Sequence, residues 1–344
     1  MRVFVTGTDG YIGSVLAPRL IGEGHEVTGF DTAYYRGGWL FTDPSRLRES
    51  PLSICDDIRR VTPKMLEGYD AVIHMAELSN DPLGESNRSV TFDINHRGSI
   101  VLAEAAKAAG VERFIYTSSC SVYGVADQDI VDESSAVNPQ TTYAECKVRV
   151  EQDVGAMADS GFSPVFLRNA TAYGASPRMR FDIVLNNLAG IAWTAGKIAM
   201  TSDGTPWRPI VHIQDIGTAI VSCLTAPIQD IHGEIFNVGS NAENYRVRRI
   251  AEIVKEVFPE CALTFGLPGG DNRSYRVSFD KIDAGLPGFH CEWTALEGAR
   301  QLRRIFDRIQ MRTEDFEAPP YTRLKCLQQL IATGQIDEDY YWTT

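Results

Sequence analysis

Thr6 to Gly13 reads TGTDGYIG, directly after the apolar run RVFV and at the start of a helical pattern that extends from Tyr11 to Glu23. Glycines at this spacing, Gly7, Gly10 and Gly13, permit a tight turn, close approach of the backbone to a pyrophosphate and packing of helix on strand, while the helix N-terminus favours negative charge. The stretch therefore predicts a dinucleotide-binding lobe opening at the first strand. Asp31 closes the next apolar run, EVTGFD. A carboxylate there accepts hydrogen bonds from both hydroxyls of an adenosine ribose and repels a 2′-phosphate, which selects NAD over NADP. Asp57, after the third run, is placed to accept from an adenine amino group, or else to serve as a solvated loop acid.

Outward from the turn, short apolar runs alternate with helical patterns: LSICDDI, AVIHMA, a helix from Arg88 to Ala109, RFIYTSS, a helix from Thr141 to Ser160, and SPVFLRNA. Strands this apolar, separated by amphipathic helices, predict an α/β fold with a doubly wound parallel sheet of Rossmann type. Pro18 falls inside the first helix and is expected to kink it. Beyond residue 168 the rhythm loosens, with a helix near Phe181 to Ala195, a return to RPIVHI, a helix from Gln214 and the strand EIFNVG. The expected division is residues 1–167 plus 208–240 for the NAD-binding domain, and 168–207 plus 241–344 for a smaller, discontinuous substrate lobe.

A chain of 344 residues with 44% hydrophobic and 23% charged residues is long enough for two lobes. No apolar run approaches the roughly 20 residues that cross a bilayer. Met1 leads straight into a strand with no secretory pattern, so a cytoplasmic enzyme is expected. The seven scattered cysteines read as reduced thiols, with neither a disulfide frame nor a metal site. A net charge of −12 argues against nucleic acid and requires local cations for any anionic ligand.

The chemistry is written in Ser119 and in Tyr143-x-x-x-Lys147. A lysine one helical turn after a tyrosine shares its face, lowers the phenol pKa from near 10 and can bind a nicotinamide ribose. Ser119, at the end of the fifth strand, fixes a substrate hydroxyl for proton loss to Tyr143 as hydride leaves. Y-x-x-x-K alone is a common helical accident. The order of glycine turn, strand-end serine and tyrosine helix is what gives it meaning.

These residues resemble the extended short-chain dehydrogenase/reductases, and specifically the NAD-dependent epimerase/dehydratase group that acts on nucleotide sugars. The resemblance runs through TGTDGYIG, Asp31, CDDI, HMAELS, Asn95 in DINHRGS, YTSSCSVYG, YAECK, LRNATAYG, the Asn186-Asn187-Leu188 triplet and RPIVHIQDI. It implies that Gly7, Gly10, Tyr11, Ile12, Gly13, Asp31, Asp57, Ile58, Ala76, Asn95, Tyr143 and Lys147 contact NAD. It also implies that Asn187, Arg208 and Arg273 hold a diphosphate and that Ser79 and Ser121 face the sugar, while Thr171 stands as a substrate-binding position where some 4-epimerases of the group carry an asparagine that contacts the nucleotide sugar. Arginines suit a diphosphate because a planar fork binds two oxygens. Arg178, Arg180 and Arg276 fall in the same predicted lobe, and His212 reads as a structural histidine.

One departure bears on the reaction. In the 4,6-dehydratases of this group an Asp-Glu pair follows the catalytic hydroxyl residue, and here those positions hold Cys120 and Ser121. A serine cannot pull a carbon-bound proton, so the usual dehydration route is disfavoured, while Cys120 stays open as an acid or base or as a small core residue. Reversible oxidation at C4 needs only the groups present, so a nucleotide-sugar 4-epimerase is expected. A dehydratase, a C3/C5 epimerase using Cys120, a net oxidoreductase and a non-catalytic NAD-binding protein are the alternatives. Apolar residues on more than one face of two helices (Ile100, Val101, Leu102 and Ala105; Val148, Val150, Val154 and Met157) suit a homodimer contact or packing on the sheet. The tail from Tyr321 is expected to dock on the second lobe.

Overall fold

Val3 and Val5 face one side of β1 (Arg2–Thr6) and Phe4 the other, an alternation that sorts the whole sheet lobe into two cores. The structure, a computed structural model, describes residues 1–42, 50–79, 81–269 and 273–343, except for the side chains of residues 126 and 127. From β1 the chain runs through α1 (Gly13–Gly22), β2 (Glu26–Asp31), β3 (Leu52–Cys55), β4 (Ala71–His74), α2 (Asp81–Ser86), α3 (Arg88–Thr91), α4 (Ser99–Ala108), β5 (Arg113–Ser119), β6 (Val125–Val131) and α5 (Thr142–Gly155). There follow β7 (Ser163–Asn169), β8 (Thr171–Tyr173), α6 (Val184–Ala195), β9 (Lys197–Ala199), β10 (Trp207–His212), α7 (Ile213–Thr225), β11 (Ile235–Val238), β12 (Asn244–Arg246) and α8 (Val247–Val257). β13 (Ala262–Thr264), β14 (Ser274–Val277), α9 (Asp280–Gly285), α10 (Ala295–Ile309), α11 (Thr313–Glu317) and α12 (Arg323–Ala332) complete it.

Seven parallel strands form the main sheet in the order β3-β2-β1-β4-β5-β7-β11. This is the doubly wound Rossmann arrangement, and the order reverses between β1 and β4, where a crevice opens beyond the strand ends. Leu16 and Leu20 of α1 and Ile216, Ile220 and Cys223 of α7 cover one face. Leu102, Ala103 and Ala106 of α4 and Val150 and Val154 of α5 cover the other. α1 runs unbroken through Pro18.

The helix expected from Arg88 to Ala109 is interrupted by a π-helical segment, Phe92–Gly98. The extra residue per turn brings Asn95 inward, where its side chain accepts from Leu78 N at 2.8 Å and donates to Leu78 O at 3.1 Å. Gly98 lets this segment press on Ile58, since a Cβ there would stand 3.0 Å from two Ile58 carbons.

A third core, built from α6, α8 and α10, defines the second lobe. Two sequence expectations are corrected. The strand Trp207–His212, assigned to the NAD-binding domain through the 208–240 boundary, pairs with β8 and β12 in a separate three-stranded sheet. Its residues serve both cores, Ile210 the second lobe and Val211 the first, because β8 leaves the main sheet just after Asn169. Within 208–240, α7 and β11 return to the main sheet lobe, and from the part expected in the second lobe Val277, Phe279 and Ile282 of the β14–α9 region join the same core.

The tail packs mainly on the sheet lobe: its first residue, Tyr321, joins the second-lobe core, whereas Cys326, Leu327, Leu330, Ile336 and Tyr340 join the core of Phe4 and Phe30. Of the two readings offered for the apolar faces of α4 and α5, packing within the chain accounts for most of the residues. Leu102, Ala105, Val150 and Val154 are buried, and Ile100, Val148 and Met157 pack against the cores. Among the described residues no helix is long and apolar enough to cross a membrane, and no cluster of metal-ligating side chains occurs.

Candidate active site

A cavity of about 850 Å³ lies between the lobes at the strand-order reversal. Gly7, Gly10, Tyr11, Ile12, Gly13, Asp31, Asp57, Ile58, Ala76, Ser119, Ser121, Tyr143 and Lys147 line it from the sheet lobe, and Ser79 lines it from the loop after β4. Thr171, Asn187, Arg208 and Arg273 line the other wall. Asn95 and Cys120 do not line it.

At one end the glycine turn comes against the loop after β4. Gly7 has φ +80°, and a Cβ there would stand 3.0 Å from Ala76 N; at Gly13 it would lie 2.1 Å from Gly7 O. Only glycine fits, and the resulting cradle of backbone N–H groups suits a pyrophosphate. Tyr11 anchors the turn to the second lobe, donating to Gly174 O at 2.7 Å and accepting from Asn186. Asp31 accepts from Ala33 N at 2.7 Å and from Asp9 N at 3.0 Å, and burial raises its carboxyl to about 6. Asp57 is gripped by Arg59 in a buried pair at 2.7 Å, so its role at the cavity wall is shared with that guanidinium.

At the other end, Ser119 terminates β5 and accepts from Ser121 N at 3.1 Å. Thr141 caps α5 by accepting from Ala144 N, which aims the first turn, and with it Tyr143, at the cavity. Lys147 Nζ stands 5.3 Å from the centre of the Tyr143 ring and donates to Thr117 O. Burial raises the Tyr143 phenol, and the Lys147 charge opposes it.

Sequence reasoning passed over Glu77. Its carboxylate lines the same cavity, pairs with Lys147 Nζ at 2.6 Å and accepts from Tyr116 OH at 2.5 Å. Burial pulls Lys147 down, but the charge of Glu77 first, with Tyr143 and Glu151 behind it, leaves the lysine raised. The available signal was an acid directly after the mostly apolar run AVIHMA.

Two expectations are corrected at the site. Asn95, expected at the cofactor, spends its amide on Leu78 and positions the loop that carries Ala76, Glu77 and Ser79. Cys120, expected as a possible acid or base, is buried with its thiol donating to Arg168 O at 3.1 Å, and burial pushes its pKa up. A thiol in that setting fills core and transfers no proton at the cavity.

The arginines divide. Arg180 pairs with Asp182 at 2.9 Å and donates to Ser79 Oγ at 3.1 Å, while Arg273 pairs with Asp81. Arg208 donates to Trp207 O and to Arg273 O. Arg178 instead ties down the carbonyls of Tyr35, Arg36 and Gly38, and Arg276 pairs with Asp129 outside the cavity. His212 stacks on Trp293 at 4.0 Å and bonds Gln301, a structural histidine that burial lowers to about 4.

Fold and site together define an NAD-binding, short-chain dehydrogenase/reductase-type protein. Residues 3–239 match the NAD dependent epimerase/dehydratase family, and the chain belongs to it. It is similar to a UDP-glucose 4-epimerase of Corynebacterium glutamicum, 29% identical over 75% of this chain and 80% of that one. It is also similar to a mouse dTDP-D-glucose 4,6-dehydratase, 27% identical over 74% and 72%. Among solved structures, MoeE5 in complex with UDP-glucuronic acid and NAD superposes with a TM-score of 0.77 at 25% identity, covering 90% of this chain and 99% of that one. NAD is thus the cofactor. The glycine turn and Asp31 fit it, one by its backbone cradle and the other by its carboxylate at the end of β2.

Proposed function

We propose that this chain is a nucleotide-sugar 4-epimerase that works through a transient 4-keto sugar. The observation that carries this reading is the gathering of Ser119, Tyr143 and Lys147 on the cavity wall beside the glycine turn, where among the described residues the neighbouring carboxylates are ion-paired and the nearby Cys120 thiol is hydrogen-bonded to Arg168 O. Glu77, Asp81 and Asp182 each face a cation, and the Cys120 thiol is turned into the core. Carbon-acid chemistry needs a base strong enough to take a proton from carbon, and a cation partner weakens a carboxylate for that task, whereas hydride removal and return need only an acceptor for the hydroxyl proton.

Bound NAD supplies the hydride acceptor. Ser119 Oγ then orients the C4 hydroxyl, Tyr143 OH takes and later returns its proton, and Lys147 stabilises the phenolate. Arg208, Arg273 and Asn187 hold the diphosphate while the ketone turns, and Ser79, Ser121 and Thr171 border the sugar. Ser121 Oγ is buried without a hydrogen-bond partner among the described residues, a donor suited to a sugar hydroxyl. A cytoplasmic setting is part of this proposal.

Proton NMR with NAD and a panel of nucleoside diphosphate sugars in deuterium oxide tests the reading. A 4-epimer without deuterium at carbon supports it. A 4-keto or carbon-deuterated product places the chain with the dehydratases or with carbon-acid epimerases.

A further inference from the structure

Arg323, the first residue of α12, is only 2% exposed. One terminal nitrogen donates to Pro320 O and the other to Arg178 O at 3.0 Å, and the guanidinium lies 4.1 Å from the centre of the Tyr35 ring. Among the described residues no carboxylate pairs with it. A buried cation with only carbonyl and ring partners is costly, and burial lowers its pKa to about 10. Arg323 nevertheless lines the cavity, together with Thr322, Leu324 and the three glycines of the turn. Its charge is felt at Tyr11 within that turn and at Asp31 beside it.

We propose that Arg323 is a cofactor-binding residue that takes the pyrophosphate of NAD opposite the glycine turn. The turn by itself offers partial charges only, and Asp9, Asp31, Asp56 and Asp57 crowd the same end of an acidic chain. A full cation there offsets the dianion, and the dianion supplies the partner that Arg323 lacks. The cation arrives on the tail, which is seated on the sheet lobe by Tyr34 OH donating to Tyr340 O, Trp342 Nε1 to Thr32 O at 2.7 Å and Arg59 to Asp339 O at 3.0 Å. Cofactor binding and docking of the C-terminal segment are thereby coupled. The proposal depends on NAD binding and not on which sugar carbon reacts, so a failure to epimerise leaves it standing.

Calorimetric titration of the full chain with ADP, adenosine and UDP tests it in wild type, R323Q and R323K. Glutamine keeps an N–H donor for the carbonyls but removes the charge. The expected result is ADP affinity tenfold or more weaker in R323Q, adenosine affinity changed less than twofold, and R323K between wild type and R323Q for ADP. Equal losses for ADP and adenosine would reveal a structural role, and a loss for UDP in place of ADP would assign Arg323 to the substrate diphosphate; either overturns the proposal. Wild-type protein that binds no ADP removes the cofactor reading and the proposal with it. Should R323Q not fold, hydrogen exchange of wild type across residues 319–332 decides. Slowing by ADP but not by adenosine supports coupling, and equal slowing or none refutes it.

Discussion

Lys147 Nζ lies 2.6 Å from Glu77 Oε2, both side chains almost wholly buried, so the lysine that should acidify Tyr143 carries its own counter-charge. The groups around this pair are Tyr143 and Glu151 on α5, Tyr116 on β5, Asp81 and Arg180 at the cavity wall, and His74 on β4, kept neutral by burial at about 3.

Burial raises the Tyr143 phenol first, Lys147 lowers it and Glu77 raises it again. Glu77→Gln removes the last effect while keeping an oxygen for Tyr116. Tyr143 and Lys147 should then both lose their protons at lower pH, so both limbs of the kcat/KM profile move toward acid, by roughly one pH unit. The profile of the variant against wild type reads this directly, and limbs that stay in place or move toward alkali would show that Glu77 does not tune the tyrosine.

Asp31, raised by burial to about 6, must be ionised to accept from both ribose hydroxyls. Its proton therefore competes with NAD. Affinity should be flat above pH 7 and about tenfold weaker at pH 5 than at pH 7.5, one pH unit below the pKa corresponding to about a tenfold loss. Asp31→Asn should abolish that dependence and narrow the preference for NAD over NADP; calorimetry at the two pH values checks both. Stability moves in the opposite sense. A carboxyl whose folded pKa is raised stabilises the cofactor-free fold below its ordinary value near 4 and loses that contribution as pH climbs through 6, so the asparagine variant should melt higher than wild type at pH 7.5.

Cys120 keeps its thiol on Arg168 O, away from the cavity. Cys120→Ser retains a donor of similar size, so turnover should stay within about twofold and stability should fall by about 1 kcal/mol. A catalytic acid or base lost at this position would instead cost roughly 10²- to 10⁴-fold in rate. Steady-state kinetics and a urea melt of the variant distinguish the two.

What was legible in the chain was what is local. The glycine turn, Asp31, Ser119 and the Tyr143–Lys147 pair each sit within one strand-turn-helix unit, where spacing dictates geometry. Glu77 and Arg323 were illegible because their meaning comes from partners, or the lack of them, set by folding: Glu77 meets a lysine 70 positions on, and Arg323 arrives from a tail that crosses back to the sheet lobe. The sequence reads RPIVHI as a strand, one residue off the observed Trp207–His212, but carries no information on which sheet takes it, and β8 pairs with it. Asn95 matched a motif, yet a π-helical turn spent its amide on Leu78.

Tyr143→Phe separates the catalytic assignment from everything else. The ring stays in place beside Lys147, and the hydroxyl has no hydrogen-bond partner among the described residues, so its loss strands no buried group and folding should be kept. Melting temperature and NAD affinity should match wild type within error, while turnover of the sugar found by NMR falls by roughly 10²- to 10⁴-fold, the usual worth of a positioned proton acceptor. Retained turnover would move the proton acceptor to another group on the cavity wall. Glu77 is then the first to test, because its carboxylate is the nearest base to Lys147, and the Tyr143→Phe/Glu77→Gln double variant would show whether the remaining rate belongs to it.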